Sequence, residues 1–326
     1  MEKVKSFATR NIIVFVLIAL CLAFGLGSKA FISAQNIVNL TTQMAINAML
    51  SAGLTFVIIL GGIDISVGSV AALAGVTGAL IARANPEASG FTASLIWVGS
   101  ALVVGLLCGA FNGLMIAKFK VVPMIATLAM LNIGRGLCFV LSGGSSVSGV
   151  KSAYSFLGAA RLLKTVDKPT GWIHIITIFV IIVVFIMHTL LSKTVFGRHV
   201  YATGSNTHVA HLSGINTGRT IFLGHVICAV MAALGGVLNA SKLQNGQPGA
   251  CDGYEMYAIA ATVLGGTSLS GGRGSVSRAM IGVAVIAVIN NGMNLMHINS
   301  YWQKVVIGAI ILMAVILDMA QKRRKA

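Results

Sequence analysis

Seven carboxylate side chains among 326 residues leave little room for acid–base or metal chemistry. Attention therefore falls on the ionisable residues set inside apolar sequence, namely Asp64, Arg135 and His225. Asp64 stands in a glycine break, Gly61-Gly62-Ile63-Asp64-Ile65-Ser66. It can act as a pathway or coupling residue, the default for an ionisable group beside a membrane span. It can equally shape the start of the next helix by accepting N–H bonds at that helix's positive end. Arg135, between Gly134 and Gly136, must face a bundle interior or water; it either lines a path or ties carbonyls at a helix junction. His225 reads as a core histidine. His208 and His211, three apart, would share a helix face near His199, but no third or fourth ligand stands at ordered spacing, so no metal is expected.

Motifs for reaction chemistry are missing. No Gly-x-x-x-x-Gly-Lys-[Ser/Thr] phosphate loop and no His-Glu-x-x-His is present. The text nearest a Gly-x-Ser-x-Gly elbow, Leu141-Ser142-Gly143-Gly144-Ser145, does not match it. An intramembrane carboxylate dyad would need a partner for Asp64, and Glu255 and Asp318 fall at span ends. The expectation is a chain that is not itself an enzyme and holds no cofactor.

The elements that position these residues are membrane spans. Hydrophobic residues make up 56% and charged residues 9% of the chain, against about 25% charged in soluble domains. Runs such as Ile173–Leu191 and Val305–Leu317 carry almost no charge. In lipid every backbone polar group must be bonded within the protein, which leaves helices or a closed barrel. These runs are apolar all round rather than alternating, so the expected fold is all-α, a polytopic transmembrane bundle forming one domain over residues 1–326. Ten helices are predicted: Asn11–Leu26, Gln43–Leu60, Ser66–Ala82, Ala93–Ala117, Val122–Leu141, Ile173–Leu191, Thr220–Ala240, Tyr254–Gly266, Ala279–Met296 and Tyr301–Met319. The eighth, short and glycine-ended, is open to a partial or re-entrant reading. Small residues such as Gly105 and Gly109 allow close helix approach. The apolar run Ile12–Phe24 lacks a clear cleavage site and reads as a retained first helix. The five scattered cysteines read as core residues rather than a disulfide framework.

The net charge of +16 lies between spans and at the ends, which argues against a nucleic-acid groove. With the N-terminus inside, 14 basic residues fall on the inner side and 7 on the outer, Lys151, Arg161, Lys164 and Lys168 among the latter. That bias places both termini in the cytoplasm.

Two further patterns bear on mechanism. The stretch Leu60-Gly61-Gly62-Ile63-Asp64-Ile65-Ser66, continuing to Gly68-Ser69-Val70, is echoed by Leu264-Gly265-Gly266-Thr267-Ser268-Leu269-Ser270, continuing to Gly274-Ser275-Val276. The second copy is two residues longer. Paired glycine breaks point to a transport pathway built on an internal repeat, or to two similar helix–helix turns. The inner loop at about 192–219 contains Asn206 or Thr207 as a helix cap and Gly214 as a stop. The short helix between them would carry an apolar stripe of Val209, Leu212 and Ile215, suited to a groove on a partner or to the lipid interface.

Gly61–Ser69, Tyr201–Asn206 with Leu212–Ile215, Tyr254-Glu255 with Ile259–Gly272, Asn290–Asn294 and Ser300–Gln303 together resemble the permease subunits of ribose-type carbohydrate ABC importers. The resemblance runs from the second span to the end. It implies a ten-span permease, paired with a second permease subunit as a homodimer. It also implies a cytoplasmic ATP-binding subunit and an extracytoplasmic sugar-binding protein that delivers a monosaccharide, a ribose-like pentose or a hexose. Residues expected at the path or gate are Asp64, Ser66, Arg135, Gly265, Gly266, Ser268, Asn290 and Asn291. Those expected to couple to the ATPase are Arg198, Tyr201, Asn206, Val209, Leu212, Gly214 and Ile215. Ser277-Arg278-Ala279 and Tyr257 depart from the family's usual pattern and leave the sugar open. The alternative is a secondary transporter driven by an ion gradient, for which buried carboxylates and histidines are sparse here.

Overall fold

A computed structural model describes residues 12–162 and 173–323. Lys3, Lys5, Arg10, Lys164, Lys168, Arg324 and Lys325 of the charge count lie outside the described residues. The helices are α1 (Ile12–Gly27), α2 (Ala34–Ile59), α3 (Val67–Ala84), α4 (Gly90–Ala117), α5 (Pro123–Ser142), the four-residue α6 (Phe156–Ala159), α7 (Ile175–Lys193), α8 (Val195–Ser205), α9 (Thr207–Leu212), α10 (Thr217–Leu243), α11 (Tyr254–Leu264), α12 (Val276–Leu295) and α13 (Ser300–Arg323). Seven of them, α2 to α5, α7, α10 and α12, are long and apolar enough to cross a membrane; Ile13–Gly27 and Tyr301–Met313 are shorter apolar helices. With α11 these are the ten helices expected from the sequence.

Several boundaries differ from expectation, each for a local reason. α2 starts at Ala34, where the Ser33 hydroxyl accepts the Asn36 N–H; polar Gln35, Asn36 and Asn39 hide these turns from an apolar count. Ile173 and His174 form a two-residue strand, β2, antiparallel to β1 (Arg161–Leu162), so α7 begins two residues later than predicted. α10 begins at Thr217 because Asn216 Oδ1 accepts the Arg219 N–H at 2.9 Å. The loop at 192–219 holds two helices rather than one: α8, capped by Thr194, precedes the expected short helix.

Small residues set the packing around α10. Gly105, Gly109 and Gly113 of α4 form an i, i+4, i+8 row, and a Cβ on them would come within 2.6, 2.6 and 3.1 Å of the Cα atoms of Val230, Val226 and Phe222 respectively. Contact this close, backbone to backbone, is what draws apolar helices together where lipid removes the hydrophobic drive. Gly53 meets Cys228 in the same way, and Gly236 lies on Ala71 O. Cys108, Cys138, Cys228 and Cys251 are buried free thiols.

α11 is a half-span. Its 11 residues cover about 16 Å of a roughly 30 Å hydrocarbon layer. The chain reaches it by re-entry. After α10 ends, Gly246 packs on Val76 and Ala79 of α3 and pairs with Val147 in an isolated bridge. Five residues later, Cys251 O faces Gly68, at the start of the same helix. Gly246 to Cys251 thus runs back alongside α3 from Val76 to Gly68, through a turn in which the Ala250 N–H bonds to Gln247 O at 3.0 Å.

Candidate translocation and coupling site

The first break lies between α2 and α3. Asp64 is fully buried there. Its Oδ1 accepts the Ser66 N–H at 2.9 Å and the Ser66 hydroxyl at 2.6 Å. Asn112 of α4 donates through Nδ2 to Ser66 Oγ at 3.1 Å and to Asp64 Oδ2 at 3.5 Å. Buried Thr127 of α5 accepts the Ile65 N–H at 3.3 Å, and its hydroxyl lies 2.9 Å from Pro123 O in its own helix and 3.3 Å from Ile63 O. Ser66 occupies the N-cap position of α3 without a side-chain cap bond. Asp64 therefore shapes the turn into α3 through Ser66, within a polar node sealed by α4 and α5.

Arg135 adopts the carbonyl-tying arrangement. Its Nη1 donates to Pro248 O at 2.7 Å and Ala250 O at 2.9 Å, and its Nη2 stands 3.7 Å from Asp252 Oδ1. The guanidinium holds the re-entrant turn, whose carbonyls would otherwise lie unpaired inside the span. Next to it Glu255, in the first turn of α11, is 8% exposed and packs on Gly68; a Cβ there would fall on Glu255 Oε2.

The second break carries Gly265, Gly266 and Ser268. A Cβ on Gly265 would press on Arg278 O at 2.5 Å, and Gly266 has φ +88°, which favours glycine. Ser268 N–H bonds to Arg273 O at 3.0 Å. Asn290 and Asn291 sit together on α12 but have different surroundings. Asn291 is buried in a reciprocal amide pair with Asn36 of α2 (2.8 and 2.9 Å), a helix–helix staple, whereas Asn290 is partly exposed. His225 is 1% exposed, with Nδ1 3.0 Å from Ile221 O in its own helix.

The residues expected to couple to an ATPase gather at one end of the bundle. Asn206 Oδ1 accepts the Val209 N–H at 3.0 Å and caps α9; Gly214, φ +82°, follows its end. Val209 and Leu212 are exposed, 55% and 73%, and Ile215 is half-buried. Arg198 is exposed on α8. The Tyr201 hydroxyl donates to Gly274 O at 2.8 Å, and burial pushes this phenol above its ordinary range, keeping it a donor. Gly204 of α8 sits directly on Ile59 O, the last carbonyl of α2, and the same carbonyl accepts the Gly272 N–H at 2.8 Å. α8 thus touches the ends of both glycine breaks.

Sequence reasoning passed over Asn112, Thr127, Gly204, Asp252 and Glu255 as site residues. An asparagine inside the apolar run of α4 was a usable signal. Gly204 gave none, since its role depends on a carbonyl 145 positions earlier in the chain.

Residues 36–315 match the family model described as branched-chain amino acid transport system / permease component. The ribose import permease protein of Bacillus subtilis (strain 168) is 38% identical over 98% of this chain and 93% of its own length. Its counterpart in Escherichia coli (strain K12) is 37% identical over 89% of this chain and 88% of its own. The xylose transport system permease protein of the same strain is 33% identical over 96% and 93%. No solved structure matches the chain.

Proposed function

The chain belongs to this family of transport-system permease components, and from that premise we propose that it is the membrane subunit of an ATP-driven monosaccharide importer in a bacterial inner membrane. The sugar is a ribose-like pentose or a hexose; the relatives named above are permeases for two pentoses, ribose and xylose. An extracytoplasmic binding protein delivers it, a separate cytoplasmic subunit hydrolyses ATP, and a second copy of the chain completes the permease. The whole chain is one transmembrane domain with both termini in the cytoplasm, and residues 192–219 form the coupling loop.

The observation that carries this reading is the seat of α8. Gly204 on Ile59 O, Tyr201 on Gly274 O and Gly272 on Ile59 O bring the coupling segment and both breaks to one point. A push on the exposed Val209–Leu212 face reaches the chain leading into α3 and α12 through two backbone contacts at Ile59 O and the Tyr201 side chain on Gly274 O. Packed interiors transmit such displacement because they compress little. Asp64, Ser66, Asn112 and Thr127 then hold the first break, and Arg135 holds the re-entrant turn, as the moving parts of the path.

The test is reconstitution in proteoliposomes with the ATPase and the binding protein. Uptake of ribose or xylose should require ATP and survive ionophores. Uptake that follows a proton or sodium gradient and ignores ATP would overturn the reading. Leu212→Asp should lower uptake by about tenfold or more, as loss of a central apolar anchor does, and ATP hydrolysis should no longer respond to the loaded binding protein. Normal transport by a correctly inserted Leu212→Asp permease would remove this face from the docking surface.

A further inference from the structure

The helices α3 and α11 both begin inside the bundle, side by side at Gly68 and Cys251–Glu255. A helix start carries about half a positive charge, and paired half-helix starts inside a membrane are suited to holding an anion. Here the protein fills both itself. Asp64 takes the N–H of Ser66 where the chain turns into α3. Glu255 lies in the first turn of α11 and against the first turn of α3.

The cation of the region is also occupied. Arg135 donates through Nη1 to two carbonyls and sets Nη2 beside Asp252. The side chain of Asp252 is 84% exposed beside an arginine in the interior of α5. A carboxylate so exposed at span depth requires water rather than lipid around it, so the junction borders an aqueous route. Among the described residues its charged groups are Asp64, Asp252 and Glu255 against Arg135, an excess of acid that outweighs two half-charges from the helix starts.

We propose that Glu255, with Asp64, makes this junction anion-excluding and so restricts the path to uncharged solutes such as monosaccharides. Carboxylate-bearing solutes and phosphorylated sugars are disfavoured. This deepens the reading above and rests on it only for the kind of solute. The family description alone would equally suggest an amino acid, which brings a carboxylate into the path.

A thiol reporter tests the electrostatics without transport. Gly249 is exposed, has open space around its Cβ, and lies between the two carbonyls bound by Arg135. In Gly249→Cys permease, modification by neutral, cationic and anionic methanethiosulfonates of like size is timed against a free thiol in water. The parent protein, whose cysteines are buried or half-buried, sets the background. A unit charge roughly 10 Å away at an effective dielectric near 20 changes such a rate about tenfold. Repulsion of the anion and attraction of the cation act together, so the anionic reagent should lag the cationic one by about a hundredfold more at this cysteine than it does on the free thiol. Glu255→Gln should recover most of that gap, and Asp64→Asn part of it. A reagent ratio equal to the free-thiol value, or one unmoved by both substitutions, overturns the proposal. Neither ATP, sugar nor binding protein enters this assay, so failure of the importer reading would show in uptake and failure of this proposal only here.

Discussion

Gly204→Ala isolates the contact between α8 and the end of α2. A Cβ at 204 would lie on Ile59 O, far inside van der Waals contact, with Ile59 C and Gly272 N at 2.8 and 3.0 Å behind it. Restoring an ordinary separation of about 3.5 Å moves α8 by more than an ångström, since the obstacle is backbone and has no rotamer to change. That movement stretches the Tyr201–Gly274 bond, now 2.8 Å, beyond useful hydrogen-bond length. Overpacking costs about 1–3 kcal/mol and the lost bond about 1 kcal/mol. The docked arrangement should thus lose about 2–4 kcal/mol, roughly 30- to 1,000-fold in its population. Reconstituted with its ATPase, the variant should hydrolyse ATP at a basal rate but import little sugar per ATP. Gly136→Ala is the control: its Cβ meets nothing within 4 Å, and alanine should favour that helix by about 0.5–1 kcal/mol. Wild-type sugar import per ATP in Gly204→Ala, with the protein inserted and folded, would refute transmission through this contact.

Two further outcomes follow from the same geometry. Asp64→Asn keeps the acceptor for Ser66 and should retain uptake within severalfold, whereas Asp64→Ala strands buried donors at about 1–3 kcal/mol each and should lose most of it; equal uptake by Asp64→Ala and wild type would remove Asp64 from the gate. For orientation, an impermeant thiol reagent applied to intact cells should label Glu87→Cys, whose parent side chain is 91% exposed, and should label Leu212→Cys only after permeabilisation. Labelling of both from outside would overturn the arrangement with cytoplasmic termini.

What could be read from the sequence was whatever depends on local composition. Apolar runs gave the spans, and glycine pairs gave the breaks. Asn206 and Gly214 gave the cap and stop of α9, because capping needs only neighbours in sequence. The shortness of α11 was visible in its glycine-bounded length. What could not be read was where each polar residue points across the bundle. Asn291 belongs to the same motif as Asn290, yet it is buried against Asn36, 255 residues away in sequence. Arg135 left two roles open until the carbonyls of Pro248 and Ala250 were seen to converge on it. Polar Gln35, Asn36 and Asn39 broke the apolar count and shortened α2 in prediction, although helix geometry tolerates them once Ser33 caps the turn.

The echo between the two breaks is structural at one point and diverges at another. In the first copy, Ser66 N–H bonds to the Asp64 side chain at 2.9 Å; in the second, Ser270 N–H bonds to the Ser268 side chain at 3.4 Å, with the same two-residue span. The two extra residues of the second copy fall within Gly271-Gly272-Arg273, opposite the single Val67 of the first. Gly271 and Gly272 have φ of +83° and +71°, a conformation that glycine adopts without strain. That backbone carries Gly272 N–H to Ile59 O at the foot of the first copy. The length difference therefore has a physical use: it is the stitch that joins one break to the other, beneath the helix that would receive the ATPase. The substitution of serine for aspartate at the turn leaves the charge of the pair on the first copy alone. The positive-φ glycine is Gly61 in the first break but Gly266, the counterpart of Gly62, in the second, so the two share a motif and not a register: the first carries the carboxylate of the pair, Asp64, and the second holds the end of α2 through Gly272.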